Sequence, residues 1–296
     1  MSLNKFFDLT EEEKEEIFFK KYFGGIPTSV MQFDKSPELM NFIDDTASMG
    51  IVNGGTAQAR GGGYAKNLRY SIYNPTQAEF ILKYYTEEGW DILDPFAGRG
   101  TRSLMSLRLG RNYYGIDVCS ETVQENIRKI EEKNFGRERW EVRLGDGTRP
   151  HEVFPNQTFD AIFTCPPYYN IEKYSGGDGD LSHLSDEGFE RSIGEMFQNL
   201  KGMVKKSNYK EKRFHPIIFT VGTVRRGERG LLDMDSFFQG MAGNCGFTLH
   251  DKLITVNRAP GAGFTFRRNW DYKFLCKTHE TTLIFLDYED EEKNEN

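Results

Sequence analysis

The sequence has few cysteines, and the four it has are scattered. Cys119, Cys165, Cys245 and Cys276 form no C-x-x-C pair, and the five histidines form no H-E-x-x-H. Neither a zinc site nor a disulfide framework is expected, and a reducing cytoplasm fits this usage. No apolar run approaches the roughly 20 residues that span a bilayer. The first ten residues lack the basic start and apolar stretch of a secretory signal. There is no internal repeat. What is present is an ordinary soluble composition, 38 % hydrophobic and 28 % charged over 296 residues, enough for one large domain or two small ones. The net charge of −7 is carried by the two ends. Residues 1–16 hold two basic and six acidic groups, and residues 287–296 hold one basic and six acidic groups. The stretch between is slightly basic, so the acidic total does not exclude a polyanionic partner.

Thr10 and Glu13 have capping-box spacing and open an amphipathic helix that Gly24, Gly25 and Pro27 close. Ser36-Pro37-Glu38 reads as a second helix start. A glycine-rich stretch from Gly54 to Gly63 follows, read as a flexible linker or as a segment that orders on nucleic acid. From Tyr73 strands alternate with helices. Strands are expected at Asp91–Asp94, Tyr113–Asp117, Trp140–Leu144, Phe159–Thr164 and Pro216–Val221, with Phe247–Val256 and Thr281–Leu286 closing the sheet as a hairpin-like pair. Helices are expected at Thr101–Leu109, Glu121–Lys133 and Asp233–Cys245, and where Phe189, Ile193, Met196, Phe197, Leu200 and Val204 recur at helical spacing. This alternation predicts a doubly wound, Rossmann-like α/β sheet. The division expected is a helical extension with its linker over 1–65, a catalytic domain over 66–286, and an acidic disordered tail over 287–296.

One local signal is Asp94-Pro95-Phe96-Ala97-Gly98-Arg99-Gly100-Thr101, between a strand and a helix. Glycine lets backbone amides approach a ligand closely. Ser103 occupies the last position of G-x-G-x-x-G, so a dinucleotide pyrophosphate is not the expected ligand. A ligand with an ammonium and a carboxylate suits the turn better, with Asp94 near the ammonium. Asp117, followed by Val118, ends the next strand, where an acid accepts from ribose hydroxyls or simply opens a helix. Asp146-Gly147 follows the third strand and is either an adenine contact or a plain turn.

A second signal is the apolar strand that runs into Cys165-Pro166-Pro167-Tyr168-Tyr169-Asn170. Two prolines remove two backbone donors, which leaves carbonyls without competing N–H groups, and the tyrosines offer flat faces for stacking. Acceptors of this kind suit methyl transfer to an exocyclic amine. They draw on the amine hydrogens and localise a delocalised lone pair.

Together these segments resemble the S-adenosylmethionine-dependent DNA amino-methyltransferases. Asp94–Thr101 is similar to their first motif, D-P-F-x-G-[ST]-G-T. Asn74-Pro75-Thr76-Gln77 is similar to the H-P-T-Q segment that precedes it. Cys165–Tyr168 is similar to [DNS]-P-P-[YFW], in a C-P-P-Y variant of a phage-type group, and Tyr169–Ser175 fits that group's Y-x-x-E-x-Y-S. The resemblance runs from about Tyr73 to Leu286. It implies S-adenosylmethionine as cofactor, held by Pro75, Thr76, Asp94, Phe96, Ala97, Gly98, Gly100, Thr101, Asp117, Val118, Asp146 and Gly147. It implies catalysis by Cys165, Pro166, Pro167 and Tyr168, with Tyr169, Tyr174, Arg225, Arg267 and Arg268 facing DNA. The base is extruded from the duplex to reach such a corner.

Lys201, Lys205, Lys206, Lys210, Lys212 and Arg213 form a basic cluster, with Arg225, Arg226 and Arg229 after the next strand, read as phosphate contacts. Gly176–Asp180 reads as a loop over the pocket. No recognition domain is visible, so specificity is expected from loops, the N-terminal part, a homodimer or a partner protein. By analogy the setting is restriction–modification or phage self-protection. Three other readings stay open: an RNA base methyltransferase, a pyrimidine ring-carbon methyltransferase with Cys165 as nucleophile, and a non-catalytic subunit that binds nucleic acid.

Overall fold

A computed structural model describes residues 28–43, 73–167, 181, 184–225, 230–256, 273 and 278–289. Its strands are β1 (Val30–Met31), β2 (Asp91–Asp94), β3 (Asn112–Asp117), β4 (Trp140–Leu144), β5 (Ala161–Thr164), β6 (Pro216–Val221), β7 (Val224–Arg225), β8 (Leu231–Leu232), β9 (Thr248–Val256) and β10 (His279–Leu286). Its helices are α1 (Pro37–Phe42), α2 (Pro75–Tyr85), α3 (Thr101–Arg108), α4 (Ser120–Lys133), α5 (Pro150–Val153), α6 (Asp186–Leu200) and α7 (Met234–Asn244). None of these is long and apolar enough to cross a membrane.

Eight strands form one sheet in the order β1-β9-β10-β6-β5-β2-β3-β4, and β7 pairs with β8 apart from it. The strands from β6 through β4 are parallel, while β10 runs antiparallel to both β6 and β9. From β2 the chain winds outward through β3 and β4, then returns to β5 on β2's other side. The winding direction therefore reverses between β2 and β5, and in an open α/β sheet such a switch point, beyond the carboxyl ends of the strands, is where the ligand crevice is expected.

Alternation along each strand feeds two cores. Ile92, Tyr113, Ala161, Phe163, Ile218 and Ile284 point into the layer that holds buried residues of α1–α4. Leu93, Tyr114, Ile162, Ile217, Phe219, Leu283 and Phe285 point into the layer formed with α6 and α7. A sheet covered on both faces needs apolar residues at both parities, which is why its central strands, β6 above all, read as continuous apolar runs.

The chain departs from the sequence reading at both ends. Within the expected extension 1–65, residues 28–43 are part of the main fold: β1 adds to β9 in parallel, and Met31, Phe33, Leu39, Met40 and Ile43 are core residues. Ser36 does cap α1, its Oγ accepting from Leu39 N. Asn74 Nδ2 ties the segment down by donating to Phe33 O at 2.9 Å. The start of the expected tail is likewise anchored, because Asp287 is buried and pairs with Lys206 at 2.8 Å, and Tyr288 bridges to Ser207. The helix expected after Thr10 and the glycine-rich stretch lie outside the described residues.

Candidate active site

The crevice is floored by the turn that leaves β2. Gly98 (φ +58°) and Gly100 (φ +102°) both occupy the left-handed region, which glycine adopts without steric cost. Gly100 is the N-cap of α3 and no side chain caps that helix, so its first-turn amides have no side-chain acceptor. The amide of Ala97 donates to Ile116 O at 2.8 Å, tying the turn to β3. Phe96 and Gly98 are half-buried, while Ala97 and Thr101 are buried.

Asp94 has a different task from the ammonium contact expected of it. Its side chain is fully buried, and both oxygens are committed. Oδ1 accepts from Phe96 N (3.2 Å), Arg102 Nη2 (3.3 Å) and Thr164 Oγ1 (2.6 Å). Oδ2 accepts from Arg102 Nε (2.8 Å) and Tyr113 Oη (2.9 Å). A carboxylate offers about four lone-pair sites, so these donors saturate it. Asp94 holds the floor of the crevice together from beneath. Burial by itself would pull the Arg102 guanidinium down, but the Asp94 carboxylate more than compensates and holds its pKa above the ordinary arginine value.

Asp117 ends β3 next to the turn and is half-buried. Its Oδ2 accepts from Gly98 N and its Oδ1 from Cys119 N, both at 2.9 Å. Each oxygen keeps a further lone pair. Burial raises the carboxyl above the usual aspartate value, and the two amides pull it partly back. Val118 follows it and is also half-buried. Beyond β4, Asp146 Oδ1 accepts from the amide and hydroxyl of Thr148 at 2.9 and 2.8 Å, an Asx turn. Gly147 lies flat against the turn, where a Cβ would meet Pro95 O at 2.1 Å.

Cys165, Pro166 and Pro167 leave β5, the strand next to β2. Pro166 is buried, and Cys165 and Pro167 are half-buried. The segment before α2 comes to the same place. Tyr73 packs edge-on to Phe163 (5.6 Å between ring centroids), bonds Thr220 Oγ1 at 2.8 Å, and lies 5.3 Å beneath the Arg102 guanidinium. Asn74 Oδ1 caps α2 at Thr76 N, Thr76 Oγ1 accepts from Ser36 N, and Pro75 is buried as the first helical residue. Tyr168, Tyr169, Tyr174, Arg267 and Arg268 lie outside the described residues, as does the loop Gly176–Asp180. Arg225 lies in the short strand β7.

Motif reading missed Arg102, Tyr113, Thr164 and Asn126. Asn126, fully buried on α4, donates to Gly98 O (3.1 Å) and accepts from Ser103 Oγ (2.6 Å), so it braces the turn from behind. A polar residue inside an apolar helical face was the signal available. The basic cluster needs correction. Lys205 pairs with Asp160, Lys206 with Asp287 and Arg213 with Glu289, while Lys201 donates to Cys245 O. Asp160 precedes β5, His215 precedes β6 and Asp287 follows the antiparallel β10, which places the Lys205–Arg213 stretch at the amino edge of the sheet, opposite the crevice. Three of the six cations, themselves exposed, thus sit beside carboxylates, and the stretch as a whole lies away from the crevice edge.

Residues 68–128 match the family model described as DNA methylase. The chain is 35 % identical over 112 residues to a tRNA (guanine(10)-N2)-dimethyltransferase of Pyrococcus abyssi, covering 38 % of this chain and 31 % of that protein. It is 39 % identical over 66 residues to the type II methyltransferase M2.DpnII of Streptococcus pneumoniae, covering 21 % of this chain and 25 % of that one. This chain thus spans less than a third of the length of either curated relative. Among solved structures it is similar to TrmN from Thermus thermophilus, at 15 % identity and a TM-score of 0.46 over 75 % of this chain and 51 % of that one. The fold is an α/β methyltransferase fold, and the cofactor is S-adenosylmethionine.

Proposed function

We propose that the chain transfers a methyl group from S-adenosylmethionine to the exocyclic amine of adenine or cytosine in DNA. The observation that carries this reading is that the Asp94–Gly100 turn and the Cys165-Pro166-Pro167 corner leave neighbouring strands at the switch point of the sheet. A methyl donor and its acceptor are thereby brought to one crevice. The residues fit the cofactor: Asp117 keeps lone pairs for ribose hydroxyls, the first amides of α3 stand open, and the glycine turn offers a close backbone approach. In this reading the Phe96–Thr101 backbone and Asp117 hold its centre. Val118, Asp146 and Gly147 border its adenine, and Pro75 and Thr76 border its carboxylate end.

S-adenosylmethionine supplies an electrophilic methyl group. The protein supplies a nucleophile's setting. An exocyclic amine is a poor nucleophile because its lone pair is delocalised into the ring. Carbonyl acceptors at Cys165 and Pro166 accept hydrogen bonds from its two N–H groups, draw the nitrogen toward tetrahedral geometry and stabilise the positive charge that develops there, and the methylated amine then releases one proton to water. Pro166 and Pro167 have no N–H to compete for those acceptors. Tyr168 stacks on the extruded base, and Tyr169, Tyr174, Arg225, Arg267 and Arg268 face the strand.

Two expected results follow. Asp117→Ala weakens cofactor binding roughly 10–150-fold, the worth of one hydrogen-bond pair to a charged acceptor, measured by calorimetry. Because burial raises the Asp117 carboxyl, wild-type affinity falls on acidification at a higher pH than an exposed aspartate would give. The sign for stability is opposite. A raised folded-state pKa contributes stability that is complete below the unfolded value and lost as pH rises through the folded one. Titrating affinity from neutral to about pH 4 checks it; a pH-independent affinity would contradict it. Separately, Cys165→Ser retains methyl transfer within a few-fold, because the main chain does the accepting. Complete loss, with a covalent adduct trapped on a fluorinated cytosine, would instead favour ring-carbon chemistry.

Tritiated S-adenosylmethionine incubated with unmethylated DNA, followed by nucleoside digestion, identifies base and atom. No label in any nucleic acid refutes the reading. A tRNA substrate is the second reading, favoured by the longer similarity to the tRNA enzyme, 112 residues against 66. Label in tRNA and none in duplex DNA would replace the first reading with it.

A further inference from the structure

The turn and the corner are joined by a buried link that neither motif names. Thr164, the last residue of β5, immediately precedes Cys165 and is fully buried. Its hydroxyl crosses to β2 and donates to Asp94 Oδ1 at 2.6 Å. Asp94 in turn grips the amide of Phe96, and Arg102 grips both Asp94 and the carbonyl of Phe96, at 2.5 Å from Nη2. A continuous run of hydrogen bonds therefore passes from the residue before the diproline corner to the backbone of the cofactor turn. Arg102 continues it to the ring of Tyr73, which packs on Phe163, two residues before the corner. The neighbouring threonine at the end of β6 is used otherwise: Thr220 bonds Tyr73 and Thr282 and does not reach Asp94.

We propose that Thr164 is a positioning residue for methyl transfer, setting the separation between donor and acceptor through Asp94 and Arg102. The proposal rests on the function argued above. A buried Asp–Arg pair is a poor source of stability, since apolar residues of similar volume often do as well or better. Its geometry here does something an apolar cluster does not, because it fixes two loops to one carboxylate through directional bonds. The Thr164 bond is charge-assisted and short, and so stiff. Reacting atoms must meet at about 3–3.5 Å, and a misplacement near 1 Å costs roughly 100-fold in rate. A hydroxyl lying under both loops and touching neither ligand acts on that separation, and so on kcat, with little effect on the affinity of either loop for what it binds.

The test compares Thr164→Val, which keeps the shape and removes the donor, with Thr164→Ser, which keeps the donor. Thr164→Ala keeps the test open should the valine variant not fold. In the valine or alanine variant the dissociation constant for S-adenosylhomocysteine stays within about 3-fold while kcat for methylation falls roughly 10–100-fold. Serine restores kcat to within a few-fold of wild type. A second readout needs no methyl acceptor: the rate of Cys165 alkylation by iodoacetamide, mapped by mass spectrometry. In the wild type, S-adenosylhomocysteine changes that rate; in Thr164→Val it binds without changing it. An unchanged kcat overturns the proposal. So do equal losses of affinity, kcat and melting temperature that serine does not rescue. If the wild type binds no cofactor, the functional reading fails and takes this proposal with it. If it binds cofactor but labels no DNA, only the substrate assignment fails, and the alkylation response still decides the role of Thr164.

Discussion

Asp94→Ala is expected to destabilise the protein by about 3–5 kcal/mol, the cost of stranding one member of a buried ion pair, and to abolish measurable cofactor binding. Arg102 is 6 % exposed, and Asp94 is its sole ion-pair partner among the described residues. Removing the carboxylate leaves a buried cation and also strands the hydroxyls of Tyr113 and Thr164. The two losses are separable. Asp94→Ala combined with Arg102→Met removes both charges and is expected to recover at least half of the lost stability, because deleting a whole buried pair is often close to neutral. It does not recover cofactor binding, because the amide and carbonyl of Phe96 remain unheld. Denaturant midpoints and calorimetry on the three variants make the cycle. A single variant as stable as wild type would show that the carboxylate does not neutralise Arg102. A double variant that binds cofactor normally would show that the pair has no part in shaping the turn.

The same carboxylate marks the boundary of what the sequence discloses. β4 and β6 span the residues expected of them, and the antiparallel pairing of β9 with β10 was legible as a closing hairpin. β6 is a short apolar run and β4 alternates apolar with charged residues, patterns that are local to the sequence. β1 was not legible. Two residues carry no periodicity, and their pairing with β9 is a tertiary event more than 200 positions away in sequence. The site divides likewise. Asp94–Gly100 and Cys165-Pro166-Pro167 are visible because glycine and proline restrict backbone geometry locally. Arg102 and Thr164 are invisible because their meaning lies in partners on other strands. Arg102 reads as an ordinary surface residue of a first helical turn, and nothing nearby in sequence says that Asp94 neutralises it. The lysine cluster shows the converse error. Six basic residues within thirteen positions look like a phosphate surface, until the fold brings Asp160, Asp287 and Glu289 beside three of them.

Gly147→Ala is expected to damage the same turn as the loss of Asp94, by a steric route. A methyl group at this position would stand 2.1 Å from Pro95 O and 2.8–2.9 Å from two ring carbons of Phe96. The first contact is with backbone and is not relieved by a rotamer change, so the turn after β2 must move away from the loop after β4. Overpacking of this kind costs about 1–3 kcal/mol or more. The functional cost is larger than the stability cost, because the segment displaced is the one that, in the function proposed above, presents Phe96, Ala97 and Gly98 to the cofactor. A shift near 1 Å there is worth roughly 100-fold in turnover, along with weaker cofactor binding. Gly136→Ala is the control: a Cβ at that position meets nothing within 4 Å, and the change is expected to stay within about 0.5 kcal/mol of wild type. Melting curves, cofactor calorimetry and methyl-transfer rates on the two variants decide the matter. Equal behaviour of Gly147→Ala and Gly136→Ala would mean that the loop after β4 can retreat freely from the cofactor turn. The close packing of Gly147 on Pro95 would then not be what fixes that turn in place.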